Sequence, residues 1–80
     1  LIGFEMIEKG IPRKDYKVVN DNQEEIGLVT SGTMSPSLSK GIGLAYVKTA
    51  YAAIETTIYI QIRNKTVAAK VVKPPFYKSL

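Results

Sequence analysis

Ser37 and Lys40 stand at the S-x-x-K spacing, in which a lysine one helical turn away activates a serine hydroxyl for acyl transfer. No S-D-N or K-T-G companion accompanies them, and so short a chain has little room for a deep acyl pocket. Gly41-Ile42-Gly43 opens a G-x-G, but Tyr46 stands where a dinucleotide fingerprint has its third glycine, and no long helical pattern follows. Glu24 and Glu25 are chain neighbours, so on a strand they point to opposite faces and cannot work as a paired acid and base. In Thr30-Ser31-Gly32-Thr33-Met34-Ser35-Pro36 a glycine, several hydroxyls and a helix start could present N–H groups to an anion. The plainer account is a tight strand-to-helix connection whose hydroxyls satisfy their own backbone. No catalytic residue is assigned.

Composition narrows the chemistry further. The 80 residues contain no cysteine and no histidine, which leaves no disulfide scaffold, thiol nucleophile, imidazole base or zinc site of the usual ligands, and no metal is expected. The length allows one domain, and size scaling implies that about 63% of the open chain's surface is buried on folding. With 45% hydrophobic and 22% charged residues, the chain is globular in composition, neither a disordered tail nor a membrane span.

The net charge of +4 is unevenly spread. Residues 1–25 hold six acids and four bases, whereas the remainder holds Glu55 alone against seven bases. A basic face recruits nucleic acid or other polyanions, although dispersed lysines more often only solubilise. Tyr16, Tyr46, Tyr51, Tyr59 and Tyr77 are scattered over different segments without the paired aromatics of an RNA-recognition strand. Leu1 is no initiator, and the chain opens directly into the apolar run Leu1–Ile7, as if cut from something longer. Glu5 and Glu8 interrupt that run, so it does not read as a secretory leader.

The elements that must position these residues are strands. Ile58, Ile60 and Ile62 alternate with Tyr59, Gln61 and Arg63, and a strand resumes over Thr66–Val72 after Asn64-Lys65, which makes a β-hairpin. Tyr16–Val19 and Glu25–Ser31 flank the turn-forming run Asn20–Glu24 and make a second. Ser35–Lys40 reads as a short helical turn, with Ser35 as N-cap, Pro36 at the first helical position and Gly41 as stop. Ile42–Val47 is a strand apolar on both faces, so one face calls for cover from a neighbouring domain or subunit. Pro74-Pro75 ends the last strand. About six short strands and one helical turn predict an all-β fold, a small closed six-stranded barrel.

The run Glu25-Ile26-Gly27-Leu28-Val29-Thr30-Ser31-Gly32-Thr33-Met34-Ser35-Pro36-Ser37-Leu38, followed by Ile42–Val47, resembles the G-x-V-T-S-G-x-x-S-P-x-L signature of the glycine cleavage T-protein (aminomethyltransferase) C-terminal barrel family. Gly10-Ile11-Pro12-Arg13 with Asp15-Tyr16, Arg63-Asn64-Lys65 and Lys73-Pro74-Pro75-Phe76-Tyr77 resemble its G-x-P-R element, R-G-K turn and terminal P-F, in order. The resemblance covers residues 1–80 and implies a Greek-key barrel, like the second domain of translation elongation factors.

It also implies a parent enzyme that takes the aminomethyl group from the lipoyl arm of H-protein, passes its methylene to tetrahydrofolate and releases ammonia. In the family the catalytic carboxylate and most folate contacts lie in two preceding domains, so this part is expected to be inert alone and to close one side of the folate channel. The partners implied are those preceding domains and H-protein, with no nucleic acid and no membrane, in a bacterial cytoplasm or a eukaryotic mitochondrion. By resemblance, Tyr77, Lys78 and Arg13 are the folate-proximal candidates, and Arg13 is expected more in a buried ion pair or inter-domain contact than on the ligand. Gly27, Gly32 and Pro36 carry over as backbone-shape positions, namely strand packing, a tight turn and a helix start. Thr30, Ser31, Ser35, Pro75 and Phe76 complete the structural motif.

Two positions depart from the family: Asn64 replaces the turn glycine, and Ala53-Ile54-Glu55 stands where a glycine usually precedes the strand. Alternatives are a folate-dependent relative of the sarcosine or dimethylglycine dehydrogenase type, a folate-dependent maintenance protein, or a freestanding basic barrel that binds nucleic acid.

Overall fold

A computed structural model describes residues 1–35 and 39–72. Six strands, β1 (Ile2–Met6), β2 (Lys17–Val19), β3 (Glu25–Ser35), β4 (Lys40–Val47), β5 (Thr57–Ile62) and β6 (Lys65–Val72), close into a barrel in the order β1-β4-β3-β2-β5-β6. Every pairing is antiparallel. The predicted all-β barrel and both hairpins are therefore present. Closure pairs β1 with both β4 and β6, so no strand of the barrel is left as an edge.

The core follows from the alternation. Phe4, Val18, Val29, Ala45, Ile58, Ile60, Ala69 and Val71 are fully buried and point inward from all six strands. Phe4 sits opposite Gly43 on β4, where the missing side chain leaves room for the ring.

Strand β3 departs from strict alternation twice. Against β2, Val18 faces Gly27 while Val19 faces Glu25, so Ile26 is an extra residue and joins the core. Against β4, Val29 faces Ala45 and Ser31 faces Leu44, which leaves Thr30 as the extra residue of a bulge. Its hydroxyl donates to the Leu44 carbonyl at 3.2 Å. Because side chains alternate with period two, one inserted residue reverses the faces beyond it. The bulge therefore turns Gly32 inward and Ser31 outward.

Several expectations change. β3 continues to Ser35, which pairs with Lys40, and Gly41 lies inside β4 and is a strand residue rather than a helix stop. Ser39 N–H donates to Ser35 O at 2.8 Å, and the rest of the expected helical turn lies outside the described residues. Gly32 is likewise a strand residue rather than a turn residue. Pro36, Ser37 and Leu38 lie outside the described residues, as do Pro74, Pro75, Phe76, Tyr77 and Lys78. A 3-10 turn is present at Thr49–Tyr51.

Strand order places the connections 7–16 and 63–64, with Ser39, at one end of the barrel, called the upper end below. The connections 20–24 and 48–56 lie at the lower end.

Candidate functional site

At the upper end the connection after β1 folds back over the barrel mouth. Pro12 is fully buried. A Cβ placed on Gly32 would lie 2.3 Å from the Pro12 carbonyl oxygen, and one on Gly41 would lie 2.6 Å from the Gly10 oxygen and from Pro12 Cδ. Separations under 3.0 Å are not tolerated, so the mouth closes only because these two strand positions carry no side chain. The motif glycine at 32 and the G-x-P element thus form one packing unit, which the Thr30 bulge makes possible.

Past Pro12 the chain turns. Arg13 accepts a hydrogen bond from Tyr16 N–H through its carbonyl, Asp15 N–H donates to Val29 O and Val29 N–H donates to Tyr16 O. The Arg13 side chain is exposed and makes no ion pair among the described residues, so the buried ion pair expected for it is not formed within them. Tyr16 is half-buried against the core and forms, with Ile62, Arg63, Asn64 and Lys65, a groove of about 460 Å³. A smaller cavity of about 250 Å³ lies nearby between Met6, Lys9, Gly10, Met34 and Gly41.

The run from Thr30 to Ser35 offers no anion cradle, because Ser31–Ser35 are paired with β4 and the Thr30 hydroxyl is engaged by Leu44. Ser31 is exposed on the outer face and Ser35 is buried. Gly27 lies against the Tyr46 backbone, as a strand-packing position should. Glu24 and Glu25 separate as expected, Glu24 bonding Asn20 at 2.8 Å and Glu25 facing Lys17 at 3.8 Å. Tyr46 and Tyr59 lie on strands separated by β3 and β2, so they do not form one stacking platform.

The two departures from the family are resolved in backbone terms. Arg63 carries the left-handed conformation of the β5–β6 turn, with φ of 57°, and Glu55 carries one before β5, with φ of 78°. The groove beside Arg63 went unread in the sequence, since the juxtaposition of Tyr16 with residues 62–65 is a tertiary contact. The only local signal was a turn lacking glycine.

On the outside of the barrel, Leu28 and Tyr46 face each other across β3 and β4, 40% and 61% exposed, with Leu44 half-buried beside them. Ile42 on the same face is buried, flanked by Thr33 and the Lys40–Glu5 ion pair. The doubly apolar strand thus leaves part of its outer face uncovered. Among the described residues, no three or more of His, Cys, Asp and Glu gather as a metal site, and no helix is long and apolar enough to cross a membrane.

Known proteins share this arrangement. The chain is 54% identical over 78 residues to an aminomethyltransferase of Flavobacterium psychrophilum, covering 98% of this chain and 22% of that protein. It is 58% identical over 78 residues to an aminomethyltransferase of Listeria monocytogenes, covering 98% of this chain and 21% of that one. The crystal structure of glycine cleavage system aminomethyltransferase T from Bartonella henselae superposes with a TM-score of 0.84 at 27% identity, over 94% of this chain and 21% of that chain. The chain thus spans about a fifth of the length of these relatives. The model of the glycine cleavage T-protein C-terminal barrel domain matches residues 1–78, the Gly10–Pro12 plug, the bulged β3 and its inward Gly32 all included, and the chain belongs to that family.

Proposed function

We propose that this barrel is the C-terminal domain of a glycine cleavage aminomethyltransferase. The parent polypeptide takes the aminomethyl group carried on the lipoyl arm of H-protein, transfers its methylene to tetrahydrofolate and releases ammonia. The observation that carries this reading is the family match over residues 1–78 together with aminomethyltransferase relatives at 54% to 58% identity. Its setting is a bacterial cytoplasm, or a mitochondrion if the source is eukaryotic.

Within that enzyme the barrel's part is structural. It supplies no catalytic group and packs against the preceding domains to close one side of the folate channel, which suits the uncovered outer face around Leu28, Leu44 and Tyr46. Among the described residues Arg13 is exposed and makes no ion pair, and Tyr77 and Lys78 lie outside them. The folate contacts are therefore assigned mainly to the parent's other domains, with Arg13, Tyr77 and Lys78 as the contributions proposed from this one.

The test is ammonia release from aminomethylated H-protein with tetrahydrofolate, measured for the full-length parent and for this chain alone. Activity in the parent and none in the chain is the expected result. A folded parent that binds folate but transfers nothing would instead favour a folate-dependent relative of the sarcosine or dimethylglycine dehydrogenase type.

A further inference from the structure

We draw no further inference here: the strongest candidate, the apolar patch that Leu28, Leu44 and Tyr46 leave uncovered on the outer face of β3 and β4, belongs to the packing against the preceding domains already proposed.

Discussion

The two ends of this barrel are closed by different physics. At the upper end the closure is steric: Pro12 and Gly10 press their backbone onto Gly32 and Gly41, and no polar side chain takes part in that contact. At the lower end it is polar. Asn20, 5% exposed, accepts hydrogen bonds from Asn22 N–H and Glu24 N–H on Oδ1, both at 2.9 Å. Its Nδ2 donates to Glu24 Oε1 at 2.8 Å and to the Tyr51 hydroxyl at 3.0 Å, tying the 20–24 connection to the 3-10 turn. Charge divides the same way. The upper connections carry Lys9, Arg13, Lys14 and Arg63 against Glu8 and Asp15, and the lower ones carry Asp21, Glu24 and Glu55 against Lys48. A mouth closed by backbone contact leaves its charged side chains free to face outward, whereas the lower end draws polar side chains into its own closure.

The comparison is broken most severely by adding one methyl group. Gly32→Ala places a Cβ against the Pro12 backbone, which cannot move aside like a flexible side-chain tip. The expected loss is about 3 kcal/mol, or about 15 °C of thermal midpoint for a domain of this size, read by circular dichroism. A midpoint that hardly changes would mean that the upper mouth is not closed by backbone contact.

At the lower end the corresponding break is Asn20→Ala. It removes two accepted and two donated hydrogen bonds and leaves Glu24 N–H and Asn22 N–H without their partner. A loss of about 2 kcal/mol is expected, because part of the network is open to water that can replace it. Amide exchange at Asn22 and Glu24 should speed up while exchange at Val29, whose N–H donates to Tyr16 O of the upper connection, stays slow. Equal acceleration at both ends would show that the two closures are not independent.

How much of this was readable beforehand depended on the scale of the signal. The β5–β6 hairpin and the Asn20–Glu24 turn were legible because alternation and turn chemistry are local. The Asn20–Glu24 turn falls where expected, and the hairpin turns one residue earlier, at Arg63-Asn64 rather than Asn64-Lys65. The second half of β3 was not, because Ser31-Gly32-Thr33 has the composition of a turn. The glycines explain the error. No glycine has positive φ, while Asp15, Gln23, Ser39, Glu55 and Arg63 all do among the described residues. Glycine here marks close approach inside strands, and the left-handed positions go to residues with side chains. The groove of Tyr16 and Arg63 was equally hidden, since nothing local joins residue 16 to residue 63.

The link between the bulge and the upper closure can be sharpened with Thr30→Val, which keeps shape and volume but removes the donor to the Leu44 carbonyl. About 1 kcal/mol should be lost, the usual cost of one partly buried hydrogen bond. The Gly32–Pro12 contact should persist, because strand pairing on both sides also holds the register. Nuclear Overhauser contacts between Gly32 Hα and Pro12 protons check this, and their disappearance would make the hydroxyl itself the device that turns Gly32 inward.

The smallest effects belong to the left-handed positions, and they separate the ends once more. Gln23, at φ of 65°, and Asp15, at φ of 75°, hold equivalent places in the lower and upper connections. Glycine at either relieves strain of about 1 kcal/mol but enlarges the unfolded ensemble by nearly as much. Glutamine is poorly suited to this conformation and aspartate tolerates it, so Gln23→Gly should raise the midpoint by about 3 °C and Asp15→Gly by less than about 1 °C. The order of the two matters more than their size. If Asp15→Gly gave the larger gain, the upper connection would be storing strain beyond its own φ. The contact of Pro12 with Gly32 would then be a loaded one, and the steric end of the barrel would be the less relaxed of the two.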